Sequence, residues 1–238
     1  MACPAVSVTL VSPAASTWWP YQERYGQPHR AVPARQCLTT SRSGCRGCPP
    51  HRIRRLPSSS STVSIRPADP GDAERVAAIY NEGIAERQAT FETRPRSKAE
   101  VAGWTVGPLP LIVAEVDGRV VGFAKVGTYS ERAVYAGIGE HGVYVAGETR
   151  RHGVGRALLE AIAVAAEEAG LYKLTSRIFT TNAASIALHQ AAGFTIVGVQ
   201  RHHGRLEGAW RDCVLVEQLL GAAAQDADAA GAPAAIDP

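Results

Sequence analysis

A short basic segment with spaced glycines stands between an apolar run and a helical pattern. It reads Arg-Arg-His-Gly-Val-Gly-Arg over residues 150–156. Glycines allow backbone N–H groups to approach a phosphate closely, because no side chain stands between them. The positive end of a following helix and the arginine side chains favour the same negative charge. The segment therefore predicts a cradle for a diphosphate.

The spacing of this segment differs from the common nucleotide-binding motifs, since neither G-x-x-x-x-G-K-[ST] nor G-x-G-x-x-G after a strand is present. An ordinary solvated helix start is the alternative. The context favours the diphosphate, because Gly170 closes a helical run and a further apolar strand follows over residues 171–179. The apolar residues of that run recur at helical spacing: Val154, Leu158, Ile162 and Ala165.

This segment resembles the R/Q-x-x-G-x-G/A signature of the GNAT N-acetyltransferases, which hold the pyrophosphate of acetyl-coenzyme A in this way. The resemblance implies acetyl-CoA as the cosubstrate, with no metal. A second block, residues 181–194, also resembles the superfamily and implies that Asn182 and Ser185 contact the cofactor arm. The strand and turn residues to which the resemblance assigns cofactor binding are Val143, Tyr144, Val145, Arg150, Arg151, His152, Gly153, Val154, Gly155 and Arg156.

Acetyl transfer to nitrogen needs a group that removes a proton from the amine, a site for the oxyanion and an acid for the thiolate. Glu140 begins the strand that leads to the turn and is the predicted base; a solvated strand-end carboxylate is the alternative. The resemblance places His189 where many relatives carry the general acid; its intrinsic pKa suits that role, or it positions the cofactor. Tyr144 is an alternative acid. The resemblance also implies a backbone N–H within residues 143–145 as the oxyanion donor.

Two further blocks, residues 127–135 and 140–145, resemble the phosphinothricin N-acetyltransferases, in which a glutamate at the position of Glu140 is the proposed base. Residues 90–95 resemble the substrate-side loop of that branch, and residues 79–85 and 89–93 resemble the arsinothricin subgroup. The resemblance implies a small glutamate-like toxin as acceptor, an aromatic pocket and a homodimer. The residues assigned to the acceptor are Phe91, Tyr129, Arg132 and Tyr135, with Arg132 as the cation for a carboxylate.

Two other functions remain open at this point. The first is acetylation of another amine, such as methionine sulfoximine, methionine sulfone, a polyamine or a protein N-terminus. The second is a non-catalytic module that binds acyl-CoA. Retention of both Glu140 and the diphosphate turn argues against the second alternative.

The pattern of elements predicts an α/β (α+β) fold with a mixed central sheet flanked by helices, as in the GNAT fold. From residue 63 the order is β-α-α-β-β-β-α-β-α-β-β, including a hairpin at Asp117-Gly118 and a strand over residues 138–145. Asp69 and Pro70 are expected to begin the first helix. Trp210 and Asp212 are expected to order the last hairpin.

Charge and composition divide the 238 residues into three parts. Residues 1–62 carry a net charge of +7 and are rich in Pro, Ser and Arg, so we expect a disordered leader. Residues 63–220 form the predicted domain, and residues 221–238 an Ala-rich disordered tail. Because residues 63–238 carry a net charge of −4, no nucleic-acid partner is predicted. No apolar run is long enough for a membrane span.

The leader has two interpretations. We favour a start site assigned too far upstream, with Val63 as an alternative initiator; an organellar transit peptide is the other. We expect a cytoplasmic location. Residues 37–51 hold cysteines and a histidine at ligand-like spacing, but they lie in a segment without apolar periodicity, so no zinc site is predicted. The residues concerned are Cys37, Cys45, Cys48 and His51.

Overall fold

A mixed β-sheet forms the centre of the fold. The computed structural model describes residues 8–10 and 62–230, and the side chains of residues 62–227. The strands are β1 (Val8–Leu10), β2 (Val63–Pro67), β3 (Leu111–Val116), β4 (Arg119–Thr128), β5 (Ile138–Val145), β6 (Lys173–Phe179), β7 (Thr195–Leu206) and β8 (Ala209–Leu219). The helices are α1 (Ala73–Glu86), α2 (Lys98–Ala102), α3 (Val154–Glu168), α4 (Ala183–Ala191) and α5 (Gly221–Ala230).

The sheet order is β1-β2-β3-β4-β5-β6-β8-β7. The pairs β1–β2 and β5–β6 are parallel, and the other pairs are antiparallel. From β2 to β8 the elements follow the predicted order, which confirms the fold class. The Asp117-Gly118 turn is also confirmed: both residues have positive φ angles, 51° and 75°, as a two-residue hairpin turn requires.

Helices cover both faces of the sheet. On one face, α3 buries Leu158, Leu159 and Ile162 in a core shared with β4, β6 and β8. On the other face, Ile79 of α1 packs with Phe123 of β4. Each such side chain contributes about 1.5–3 kcal/mol when it is fully buried. The alternation along β4 decides which side chain enters which core.

The start of the first helix is fixed by carboxylates, as predicted. The Asp69 side chain accepts the N–H of Gly71 at 2.7 Å, and Asp72 accepts the N–H of Asp69 at 2.9 Å. Arg66 of β2 donates two hydrogen bonds to Asp72, at 2.7 and 2.8 Å. Asp69 and Asp72 thus form a capping box at the short 3-10 turn Pro70–Asp72, and α1 follows this turn directly.

Three segments differ from the sequence-based expectation. Strand β1 lies within the predicted leader, and α5 begins where a disordered tail was expected; alanine has the highest helix propensity, which compositional reasoning did not weigh. Strands β7 and β8 extend to a turn at Glu207-Gly208, beyond the strands that the sequence predicts over residues 194–201 and 213–219, because an irregular register between Gln200 and Gly204 interrupts the period-2 pattern.

Within the described residues, no helix has the length and apolar character needed to cross a membrane.

Candidate active site

Strands β5 and β6 separate in the middle of the sheet. They pair at only three positions, the last being Glu140 opposite Thr175. Beyond that point β5 continues to Val145 and β6 to Phe179 without pairing to each other. The edge of β5 that faces the gap therefore carries backbone N–H and C=O groups outside the β5–β6 ladder. An oxyanion donor was expected on this part of β5.

Residues along β5 point alternately to the two faces of the sheet. Tyr144 lies on the side of α1 and α2, where its ring centroid is 4.8 Å from that of Tyr80. His141 lies on the opposite side and contacts His189 of α4. Because side chains two residues apart share a face, Glu140 lies on the same side as Tyr144.

The Glu140 carboxylate lies where the two strands part and is held by an arginine of β6. Arg177 donates from Nη1 to Oε1 of Glu140 at 2.5 Å, and the Glu140 side chain remains 39% exposed. Arg177 also donates from Nε to Gln200 at 3.2 Å. Among residues 62–227, no hydrogen bond is made to Oε2 of Glu140, so one oxygen is available to a ligand. The sequence analysis missed Arg177, although a basic residue within an apolar strand was a usable signal.

The turn before α3 has the backbone conformation of an anion-binding loop. Arg151 and Gly153 have positive φ angles, 64° and 82°. Helix α3 begins at Val154, and Gly153 provides no side-chain cap for its first N–H groups. Those donors and the positive end of the helix dipole are available to an anion. A Cβ on Gly155 would lie 2.9 Å from the Leu188 side chain, so the absence of a side chain permits close packing of α3 on α4.

The three arginines around this turn differ in their partners. Arg150 donates to Glu86 of α1 at 2.8 Å and to the carbonyl of Val145 at 3.0 Å. Arg156 donates to Glu160 at 2.7 Å. Arg151 forms no ion pair or hydrogen bond within the described part of the chain. Both Arg151 and His152 are exposed. Of the three guanidinium groups, that of Arg151 is therefore the one without a partner among residues 62–227.

Asn182 and Ser185 form the start of α4. The Asn182 side-chain oxygen accepts the N–H of Ser185 at 3.1 Å, and its amide nitrogen donates to the carbonyl of Gln88 at 3.1 Å. Both the oxygen and the nitrogen of this side-chain amide are thus hydrogen-bonded within the protein. The expected contact of Asn182 with the cofactor arm stays a prediction.

His189 and His141 form a buried pair. Their Nε2 atoms are 3.1 Å apart, and Nδ1 of His189 lies 2.7 Å from the carbonyl oxygen of Ser185. His189 Nδ1 must carry the proton to donate to that carbonyl, so its Nε2 accepts from His141. Burial lowers the pKa of His141 to about 3, with the neighbouring His189 as the second cause, and burial also lowers the pKa of His189. Both rings are therefore neutral, and His189 has no free N–H.

Residues 76–194, half of the chain, match the acetyltransferase (GNAT) family. The chain belongs to this family. It is an acetyl-CoA-dependent N-acetyltransferase, as its relatives are.

Three relatives illustrate the similarity. The L-methionine sulfoximine/L-methionine sulfone acetyltransferase of Pseudomonas aeruginosa is 32% identical, covering 67% of this chain and 95% of its own. The phosphinothricin N-acetyltransferase of Alcaligenes faecalis is also 32% identical, covering 67% of this chain and 83% of its own. The structure of a phosphinothricin acetyltransferase from Sinorhizobium meliloti in complex with acetyl-CoA superposes with a TM-score of 0.63, at 30% identity, over 67% of this chain and 89% of that one.

The residues assigned to the acceptor in this GNAT enzyme fall into two groups. Tyr129 and Tyr135 pack edge to face at 6.0 Å, and the Arg132 guanidinium lies 5.4 Å from the Tyr135 ring centroid, all on an exposed loop after β4. Phe91 instead packs against Phe179 of β6 at 4.8 Å, in a separate small core. The structure thus brings three of the four together.

Two other expectations concern residues elsewhere. The last hairpin is ordered by Trp210, which stacks on His202 at 5.4 Å, and by Asp212, which accepts the His202 N–H at 2.7 Å. The cysteine and histidine positions between residues 37 and 51 lie outside the described residues.

Proposed function

We propose that this enzyme acetylates the amino group of a small glutamate-like toxin, with phosphinothricin or its arsenical analogue arsinothricin as the leading acceptors. The observation that carries the proposal is the Glu140 carboxylate, held by Arg177 at the point where β5 and β6 separate. A base at this position, beside an open backbone edge, suits proton removal from an amine that attacks a thioester. Relatives named for phosphinothricin support the acceptor class.

Acetyl-CoA supplies the thioester whose acetyl group is transferred. The uncapped N–H groups of α3 and the unpartnered Arg151 fit its diphosphate, and the free edge of β5 offers a backbone N–H to the carbonyl oxygen. In the proposed mechanism, Glu140 takes a proton from the acceptor ammonium, directly or through a water molecule. The freed amine then attacks the carbonyl carbon, the carbon–sulfur bond breaks, and the thiolate takes up a proton.

The source of that last proton is a separate proposal. His189 was the first choice from sequence, with Tyr144 as the alternative. Since both ring nitrogens of His189 are engaged, by His141 and by Ser185, His189 can act only after the His141 contact opens. Burial, followed by the neighbouring Tyr80, raises the pKa of Tyr144 above its usual range, which makes this phenol a weaker acid towards the thiolate. Both side chains therefore stay candidates for the proton donor.

The names of the relatives favour a second acceptor. Three of them, including the one from Pseudomonas aeruginosa, are named for methionine sulfoximine and methionine sulfone. These acceptors share the α-amino acid group and the tetrahedral side-chain head with phosphinothricin, but lack its side-chain anion. We further propose a cytoplasmic homodimer that confers resistance to the toxin.

Glu140→Gln tests the proposed base. The amide keeps the size of the side chain but cannot take a proton, so we expect kcat to fall at least about 100-fold. The affinity for acetyl-CoA should change less than twofold, because Glu140 lies away from the diphosphate turn. Coenzyme A release is measured with arsinothricin, phosphinothricin, methionine sulfone and glutamate as acceptors, and cofactor binding by calorimetry.

Glu115→Gln is the matched control, since Glu115 also lies on a strand and pairs with an arginine, Arg66, at 2.6 Å. It should keep wild-type kcat. Full activity of the Glu140→Gln variant at neutral pH would contradict the assignment of the base. Activity on methionine sulfone without activity on phosphinothricin would replace the first acceptor by the second.

A further inference from the structure

Lys125 is a partly buried cation on the same face of the sheet as Glu140. It lies on β4 opposite Gly142 of β5, while Glu140 lies two residues further along β5, opposite Gly127. The two side chains are thus diagonal neighbours on adjacent strands. Glu140 pairs with Arg177, however, and the Lys125 ammonium instead lies 4.1 Å from the ring centroid of Trp104.

No carboxylate neutralises Lys125 within the described part of the chain. The neighbouring charge that acts on it is Arg96, which is also a cation; burial, and then Arg96, lower the pKa of the ammonium. Arg96 pairs with Glu92 at 2.6 Å and with Glu100 at 3.2 Å, and its Nε has no hydrogen-bond partner among the described residues. A partly buried cation without a counter-ion among the described residues is unfavourable for folding and is typical of a binding site.

The surroundings of Lys125 suit the apolar chain of an amino acid. Trp104 packs edge to face on Tyr80 at 5.4 Å, and Phe123 stacks on Tyr144 at 5.1 Å. Tyr80, Trp104 and Tyr144 form the partly exposed surface of an aromatic wall between α1 and β5, and Phe123 is fully buried behind them. Trp104 holds the ammonium by a cation–π contact, which orients the cation without cancelling its charge. The charge therefore remains available to an anion that enters along the wall.

We propose that Lys125 binds the side-chain anion of the acceptor, so that the enzyme selects amino acids that carry a second negative charge. The inference rests on the proposed function, in which Glu140 receives the proton of the α-amino group. The α-carboxylate of a bound acceptor then lies close to Glu140 and Arg177. Diagonal positions on adjacent strands are roughly 7–8 Å apart, which is of the same order as the length of a glutamate-sized amino acid.

The test compares two acceptors on the Lys125→Met variant. Phosphinothricin has a side-chain anion, whereas methionine sulfone has an uncharged side-chain head. We expect the KM for phosphinothricin to rise about 30-fold or more with kcat little changed, because methionine keeps the length of lysine but loses the charge. For methionine sulfone, kcat/KM should change less than threefold.

Two further variants serve as controls. Lys125→Arg keeps the charge and should retain phosphinothricin kinetics within about tenfold of wild type. Lys98→Met removes an exposed lysine that pairs with Glu74 at 3.1 Å, and should leave both acceptors unchanged. Thermal unfolding of all variants shows whether Lys125→Met is folded at the assay temperature.

The outcomes separate this inference from the proposed function. An equal loss with both acceptors, or no loss with either, overturns the role of Lys125. Release of coenzyme A by the wild-type enzyme with neither acceptor contradicts the proposed function instead. Calorimetry of phosphinothricin with the coenzyme A complex then decides: tighter binding to wild type than to Lys125→Met supports the inference, and equal or absent binding overturns it.

Discussion

The two strand-to-helix junctions beside the gap in the sheet have opposite designs. Strand β5 leads to α3 through Gly153, which has a φ of 82°. Because glycine has no side chain, it does not cap the first N–H groups of the helix. Strand β6 leads to α4 through Asn182, whose side chain caps the N–H of Ser185 and also bonds to Gln88. The first helix start is open and the second is closed.

This difference separates two segments that the sequence had assigned to the same cofactor. A helix start offers donors to an anion only where no side chain has already taken them. At α3 the N–H groups and the Arg151 guanidinium lack intramolecular partners within residues 62–227, whereas at α4 the cap uses the donor of Ser185. We infer that the diphosphate binds at α3, and that Asn182 mainly holds α4 in place.

The faces of β5 show a second contrast, between two residues that are adjacent in sequence. Glu140 is partly exposed and keeps one oxygen without a hydrogen-bond partner among residues 62–227, whereas His141 is buried and bonded to His189. A ligand can therefore reach the carboxylate, in line with the proposed role of Glu140 as the base. The imidazole pair is held neutral by burial, and it links β5 to α4.

Closing the open junction should have the largest effect on the cofactor. Gly153→Asp places a carboxylate at the start of α3, where it competes with the diphosphate for the helix donors. We expect the Kd for acetyl-CoA to rise about 30-fold, on the order of 2 kcal/mol, in calorimetry. Gly153→Asn is the control, because asparagine also tolerates a positive φ but carries no charge. Equal affinity of the two variants would show that charge at this helix start is irrelevant to cofactor binding.

The buried histidine pair should make stability depend on pH. The pKa of His141 is about 3 in the folded protein, below the ordinary value of about 6.5 that applies on unfolding. The stabilisation from the neutral ring is therefore complete above about pH 6.5 and is lost as the pH falls towards 3. We expect the free energy of unfolding to drop by about 1.4 kcal/mol between pH 7.5 and 5.5, as followed by urea titration.

His141→Leu should flatten this dependence, because the variant lacks the group that takes up the proton on unfolding. His152→Gln removes an exposed histidine instead and should keep the wild-type slope. If the free energy of unfolding changes equally with pH in His141→Leu and in wild type between pH 7.5 and 5, the histidine pair does not cause the loss of stability at acid pH.

Opening the closed junction should have the smallest effect. Asn182→Ala removes the cap of α4, which costs about 1 kcal/mol in the free energy of unfolding. The Kd for acetyl-CoA should stay within threefold of wild type. Asn182→Asp keeps an oxygen that accepts the Ser185 N–H and should retain most of the stability. A clear loss of acetyl-CoA affinity in Asn182→Ala, without a change in stability, would instead support the contact that the sequence resemblance implied.

Local patterns determined the order of the elements and the position of the turn. Strand β5 occurs over Ile138–Val145 as predicted, and α3 begins within the glycine-spaced segment, because alternation, helical period and glycine placement act over a few residues. The assignment of Glu140 as the base was also reached from its position before this turn, and stays a proposal.

The tertiary structure decided which side chains of the candidate site already have a hydrogen-bond or ion-pair partner. Arg177 reaches Glu140 across 37 positions, His189 reaches His141 across 48, and Arg150 is taken by Glu86 of α1 across 64. None of these pairs is visible in a local pattern, because each depends on strand register and on how the helices pack. The partial burial of Lys125 without a counter-ion among residues 62–227 has the same origin, because only the fold decides which charges lie beside it.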